Sequence, residues 1–283
     1  MCWIKRERFV TFAIKCKWIF FLIIVGGIAN YITESIPFNI ALHSNYFAST
    51  FSVLSYNVKC SSDNYYKNQI EIANEIIAES PDLIFLCEYS RSASSKLDSV
   101  LKHEGHYSQY YRSGMNSVFF CNEKIDSIIG IDTGISVGRN ALNNKIHLIL
   151  QHDTITVFGC HLSSSRRNYL EGRKRRHREA DSLKECIDRE IHPVIVMGDL
   201  NDFSGSYSIN RIKTSGLKDA WWEGGFGYGA TFHLGIIRLR LDHILYQDER
   251  FELIDVKVIE SNYSDHYALM AEFSIKSNKD KNY

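Results

Sequence analysis

Eight polar residues stand at or beside the ends of apolar runs in this 283-residue chain: Asn57, Glu88, His161, Asp199, Asn201, Asp242, Asp265 and His266. A single histidine or aspartate in such a place is ordinarily a turn residue. Eight in the same kind of position form the set that chemistry on a phosphodiester needs. Carboxylates hold a divalent cation that neutralises the phosphate, and a His/Asp pair handles the proton of the attacking water. Amides or a second imidazole steady the crowded transition state or the leaving oxygen. Asp199 and Asn201, in Gly198-Asp199-Leu200-Asn201, can project to the same side of an extended backbone and reach one phosphate or one metal together.

The elements that must position these residues are legible as apolar runs. Val194-Ile-Val-Met197 has no polar interruption and reads as a strand buried on both faces, ending where α/β sheets place their chemistry. Phe51 to Val58 is a second strand, in which Asn57 is an amide among apolar neighbours and needs a partner. From Lys67 to Ser80, Ile70, Ala73, Ile76 and Ile77 fall at helical spacing, and Pro81 ends the helix. Asp82 to Glu88 is another buried strand. Strand, helix and strand in this order imply a parallel crossover.

Farther along, Ser117–Phe120, Lys145–Leu150 and Thr154–Phe158 read as strands, the last two joined by a turn at Gln151-His152-Asp153. The last of them runs into Gly159-Cys160-His161 and a hydroxyl-rich loop. A helix is expected from Arg173 to Glu190, with the charge run Arg173-Lys-Arg-Arg-His-Arg178 as a solvated face. Arg240 to Tyr246 and Phe251 to Val258 follow as strands, then Ser264-Asp265-His266 leads into Tyr267–Phe273.

Composition bounds the rest. Thirty-three basic and 33 acidic residues balance to zero, which excludes nucleic-acid binding by bulk charge while leaving local basic patches open. None of the seven cysteines forms a CxxC pair. Cys87 and Cys160 lie inside apolar runs and read as small buried hydrophobes. Residues 1–17 form a basic head, expected in the cytoplasm, and residues 18–32 are a nearly uninterrupted apolar run: a membrane anchor, or a signal sequence with Gly27-Ile28-Ala29 as its cleavage site. Residues 33–50 read as a linker, 51–276 as one domain on the non-cytoplasmic side, and 277–283 as a polar tail. The domain's five cysteines must then be buried to escape oxidation.

Taken in order, Ser-Tyr-Asn57, Leu-Cys-Glu88, Gly-Cys-His161-Leu, Gly-Asp199-Leu-Asn201, Leu-Asp242-His-Ile-Leu and Ser-Asp265-His266 resemble the motifs of the endonuclease/exonuclease/phosphatase superfamily. That superfamily includes deoxyribonuclease I, exonuclease III, neutral sphingomyelinases and inositol polyphosphate 5-phosphatases. The similarity spans about Phe51 to Lys276, and with the N-terminal segment it looks most like membrane-anchored bacterial members. It implies an α/β fold of four layers, two mixed sheets packed face to face with helices outside and the site at one edge. It further implies that Glu88 with Asn57 binds Mg²⁺, with Mn²⁺ as an alternative, and that Asp265 completes that metal site. Asp242 would orient His266, Asp199 and Asn201 would position water and phosphate, and His161 would serve the transition state or leaving group. Two departures stand out. Cys87 replaces the glutamine that often precedes the metal-binding glutamate, and Leu241-Asp242-His243 stands where the 5-phosphatases carry Trp-Cys-Asp-Arg.

The resulting expectation is a membrane-tethered, exported, divalent-metal-dependent phosphoester hydrolase, monomeric and without a protein partner. Its substrate would be nucleic acid, a phospholipid head group or a small phosphate ester. A lipid or inositol phosphate phosphatase, a sphingomyelinase-like enzyme and a catalytically inactive binding module are the alternatives. Arg166, Arg173 and Arg240 are candidate phosphate contacts, and Arg166 to Arg178 is the one candidate track for nucleic acid. A lipid-directed enzyme would place Trp221-Trp222 and Phe226–Tyr228 beside the site, whereas the expected reading of both stretches is an ordinary packed loop.

Overall fold

The uninterrupted apolar runs become central strands, because a strand covered on both faces must be apolar at every position. The computed structural model describes residues 37, 50–59, 68–91, 93–110, 116–132, 143–150, 153–164 and 168–276. The expected head and anchor, most of the linker, the turn residues Gln151 and His152, Arg166 and the tail therefore lie outside the described residues. No helix among the described residues is long and apolar enough to cross a membrane.

Two six-stranded mixed sheets face each other. In the first, β13 (Phe251–Ile259), β14 (Ala268–Ile275), β1 (Thr50–Asn57), β2 (Leu83–Cys87), β4 (Ser117–Cys121) and β3 (Ser108–Tyr110) lie side by side in that order. In the second the order is β5 (Ser127–Asp132), β6 (Asn143–Leu150), β7 (Asp153–His161), β8 (Val194–Asp199), β12 (Asp242–Gln247) and β9 (Leu217–Asp219). A separate hairpin pairs β10 (Phe232–Leu234) with β11 (Ile237–Leu239).

The parallel crossover expected from strand, helix and strand is present twice. The β1–β2 pair is joined through α1 (Gln69–Glu79), and β7–β8 through α3 (Tyr169–Asp188). Ile72, Ala73 and Ile76 bury one face of α1, and Ser80 ends it in a left-handed conformation just ahead of Pro81. Helix α3 starts four residues earlier than the charge run suggested, because Asn168 caps it by accepting from the Glu171 N–H at 3.2 Å. Three short helices were not evident in the sequence: α2 (Ser95–His103), α4 (Tyr207–Lys213) and α5 (Ala220–Gly224).

Three apolar layers follow from this arrangement. Phe51, Phe85, Phe119, Val157, Met197 and Phe273 fill the space between the sheets. Leu54, Ile84 and Leu86 pack outward beneath α1 and α2, while Phe158, Val196 and Leu245 do so beneath α3 and α4. Each such side chain contributes roughly 1.5–3 kcal/mol when taken from water. The four-layer sandwich is thus the fold expected from the motifs. Trp221, expected in a packed loop, is packed but in a short helix, α5, and belongs to the central layer, with its indole N–H bonded to the Gly227 carbonyl at 3.0 Å.

Candidate active site

The strand ends carrying the polar residues meet at one edge of the sandwich. In the second sheet, register sets His161, Asp199 and Asp242 side by side across β7, β8 and β12. That row needs a close approach of β7 and β8, which Gly198 provides. Its φ is 141°, and a Cβ there would lie 1.9 Å from the Cys160 carbonyl oxygen. In the first sheet, Asn57 ends β1 beside Cys87 at the end of β2, and Glu88 follows with a φ of 50°. Asn201 is likewise left-handed, at 52°. Such conformations in non-glycine residues persist where surrounding contacts hold them, and they concentrate at functional sites.

Asn57 joins the two rows. Its side-chain N–H group donates to Glu88 Oε1 at 3.2 Å and to Asp199 Oδ2 at 2.9 Å, which supplies the partner a buried amide requires. His161 Nε2 lies 3.8 Å from Glu88 Oε1 and 3.7 Å from Asp199 Oδ2. On the other side of Asp199, His266 Nε2 is also 3.7 Å from Oδ2, and His266 Nδ1 is 2.8 Å from Asp242 Oδ2. Asp199 is therefore the hub, approached by one amide and two imidazoles.

Asp242 and His266 are both buried. Burial alone works against the imidazolium, but the charges of Asp242 and Asp199, the Asp242 hydrogen bond and the charge of Asp265 outweigh it and raise His266 to about 9. Burial also pushes the Asp242 carboxyl up, opposed by His266 and reinforced by Asp199. The dyad thus holds its proton through neutral pH. Burial, with the Asp199, Asp242 and Glu88 charges, pushes the Cys87 thiol well up, so it is a packed neutral group and not a nucleophile.

The remaining site candidates are engaged by other groups. Asn201 is tied into its loop, its backbone N–H donating to Asp199 Oδ1 at 2.9 Å and its amide to the Leu162 carbonyl at 2.9 Å. Asp265 Oδ2 forms an ion pair with Lys59. Arg240 does not face a phosphate. It is 5% exposed, with its guanidinium bonded to both oxygens of Asp219 at 3.0 Å and to Ser204. His243 completes this buried cluster, with Nδ1 3.1 Å from Asp219 and Nε2 2.9 Å from the Asp202 carbonyl. The expectation for Arg240 is therefore corrected: a buried arginine beside a buried carboxylate is held there by the penalty of separating them. In the charge run, Arg173 is exposed with its guanidinium 5.6 Å from the Tyr169 ring, whereas Arg176 is buried against Asp202 at 3.0 Å and the Ser163 carbonyl at 2.8 Å.

Several contributors carried no sequence signal of their own. Thr231 Oγ1 accepts from the Leu241 and Asp242 N–H groups at 3.1 and 3.0 Å, and the Phe232 ring meets His266 edge-on at 5.1 Å. Ser264, readable only as part of the Ser-Asp-His run, donates to the Asn57 carbonyl at 2.8 Å and accepts from the His266 N–H at 3.0 Å. Beside the site, Asn201, Phe203 and Phe232 open onto a cavity of about 690 Å³, walled also by Tyr169, Tyr207 and Ile237.

Two groups of residues have ligand atoms within 4.8 Å of one another and are candidates to hold a metal: Glu88, His161 and Asp199, and Asp199, Asp242 and His266. Among the described residues neither Glu88 nor Asp199 is paired with a lysine or arginine, so two acids share one neutral amide. A donor set of two carboxylates, an amide residue and an imidazole fits a hard divalent cation.

Solved structures of known proteins share this fold. TDP2 from C. elegans has a TM-score of 0.62 at 20% identity, covering 80% of this chain and 75% of that one. An endonuclease/exonuclease/phosphatase family protein from Bacteroides thetaiotaomicron has a TM-score of 0.66 at 16% identity, over 82% and 100%. The human Nocturnin catalytic domain with bound sulfate has a TM-score of 0.62 at 16% identity, over 84% and 96%. At these identities the likeness establishes the fold. No curated protein sequence matches the chain. The Endonuclease/Exonuclease/phosphatase family model matches residues 54–266, from β1 to His266 of the dyad, and the chain belongs to that family.

Proposed function

We propose that the chain is a divalent-metal-dependent phosphodiesterase, exported and held at a membrane by residues 18–32. The observation that carries this reading is the convergence on Asp199 of Asn57, His161 and the His266–Asp242 dyad, with Glu88 sharing the Asn57 amide. Glu88 and Asp199, with Asn57 beside them, are the residues that would hold Mg²⁺ or Mn²⁺, which takes oxygen ligands. Bound there, the ion would neutralise charge on the phosphate.

The chain's own residues then divide the proton work. Asp242 accepts from His266 Nδ1–H and fixes the ring, leaving Nε2 to face the space beside Asp199. His266 keeps its proton at neutral pH and donates a charge-assisted hydrogen bond to a phosphate oxygen. Asp199, held by the Asn57 amide and the Asn201 N–H, orients the attacking water and takes its proton. His161, on the Glu88 side of Asp199, meets the charge that develops as the leaving oxygen departs.

The test is hydrolysis of bis-p-nitrophenyl phosphate by the full chain in mild detergent, with Mg²⁺ or Mn²⁺ added or removed. Metal-dependent release of nitrophenolate is expected. Absence of turnover with any divalent ion, together with absence of metal binding by calorimetry, would overturn the reading.

A further inference from the structure

The apolar run of residues 18–32 ends five residues before Pro37, and Pro37 is docked: it is buried, and its carbonyl accepts from the Gly227 N–H at 3.0 Å. Next to Gly227, Phe226 is 68% exposed. Five residues after Gly227 begins the β10–β11 hairpin, whose tip presents Leu234 at 61%, Ile236 at 99% and Ile237 at 48% exposure. Gly235, with a φ of 59°, takes the first central position of the turn. Ile236 is thereby left at the second, where small or polar residues are the rule. The stretch Ala230–Arg240 has no acidic side chain, and Arg238 lies over the Tyr267 ring at 5.8 Å on the flank of the tip. The root of the same hairpin is in the active site, since Phe232 bridges to His266.

We infer that Phe226 and the β10–β11 tip form a docking surface for a lipid bilayer, so that the active site opens toward the membrane and acts on phosphodiesters presented at its surface. The inference rests on the tether and the hydrolase activity proposed above. Five residues span at most about 17 Å, so a segment 18–32 lying in a bilayer keeps Pro37, and the Gly227 loop bonded to it, within about that distance of the membrane. An apolar tip flanked by arginine and free of acids suits the head-group layer, where aliphatic side chains enter the acyl boundary and cations meet anionic lipid. Water offers no such complement to a fully exposed isoleucine in a turn.

Two measurements on the full chain, reconstituted in vesicles of phosphatidylcholine and phosphatidylglycerol, test this. The first compares two substrates with the same scissile group, water-soluble bis-p-nitrophenyl phosphate and hexadecyl p-nitrophenyl phosphate held in the vesicles. Ile236→Asp should lower turnover of the vesicle-held ester by about tenfold, the weight of one apolar side chain lost from the interface. Turnover of the soluble ester should not change, and Ile236→Leu should restore both. Equal turnover of both esters by Ile236→Asp and the parent chain overturns the inference, as does an equal loss on both, which would make Ile236 part of the site wall.

The second measurement needs no activity. In a Trp3→Phe, Trp18→Phe background, Ile236→Trp should add emission that is quenched by brominated acyl chains. No added quenching means that something other than lipid covers the tip, whether residues 18–32 folded back or a second copy, and the inference falls. Should the parent chain hydrolyse neither ester, the hydrolase reading fails by itself and the quenching still decides the docking.

Discussion

The Asn57 amide donates to Asp199 Oδ2 at 2.9 Å across the two sheets, so closing the sandwich and assembling the site are one event. Asn57→Ala removes the neutral donor that Asp199 and Glu88 share. Turnover of bis-p-nitrophenyl phosphate should fall about 100-fold, the scale of one lost transition-state-positioning donor. Stability should fall by about 1–3 kcal/mol, read as a shift in the denaturant midpoint, because the buried Asp199 carboxylate loses a charge-assisted hydrogen bond.

Glu88→Gln keeps the side chain's shape and removes the charge that a hard cation requires. Mg²⁺ affinity measured by calorimetry should drop sharply while the melting temperature barely moves. Parental turnover at limiting Mg²⁺ would show that Glu88 is not a ligand.

Asp242 and His266 should behave as a unit, given the 2.8 Å contact and their common burial. Asp242→Asn is expected to reduce turnover nearly as far as His266→Ala, and the double variant to be little worse than either. If instead Asp242 only ends the strand, the two losses multiply at saturating Mg²⁺.

The raised proton affinity of His266 has a sign. A histidine whose folded value lies above its unfolded one stabilises the fold fully below the ordinary value of about 6.5. That contribution disappears as pH rises through about 9. In metal-free protein, stability should therefore decline between about pH 6.5 and 9, and His266→Gln should flatten that part of the curve. A His266→Gln curve parallel to the parent's between those limits would remove His266 as the cause.

Arg240 gives the complementary case, a charge that serves the fold. Arg240→Met leaves the buried Asp219 carboxylate uncompensated, which costs about 3–5 kcal/mol. For a domain of this size the melting temperature should fall by roughly 10 °C. In the fraction that stays folded, KM should be close to that of the parent. A raised KM with unchanged melting would restore Arg240 to the phosphate.

The strands that place the site were legible because burial on both faces demands uninterrupted apolar runs, as in Val194–Met197 and Leu83–Cys87. Their polar end residues stood out by contrast, and the order of six motifs supplied the roles. What was not legible was partnership. An arginine two residues before an aspartate serves a phosphate or a buried acid equally well. Only the fold shows that Asp219, which ends β9 in no motif, claims Arg240. Trp221-Trp222 in a glycine-rich stretch looked like a loop because a five-residue helix is too short to show periodicity, and Asp219 caps that helix as well. Lys59 lies 206 residues in sequence from the Asp265 it touches, beyond the reach of any local pattern.

The pairing of β1 with β14 sets an order of assembly. Thr50–Ser55 at the start of the domain bond to Leu269–Ser274 at its end, so the first sheet cannot be completed until more than two hundred residues between them have been made. Contacts of such long sequence separation form late and slowly. The nascent chain must therefore emerge with β1 lacking one of its two neighbours and with its aromatic face uncovered, a state prone to aggregation. The first sheet of a protein built this way closes only when the whole domain is available: His266 arrives just ahead of the closing strand, and the reactive edge comes into being last.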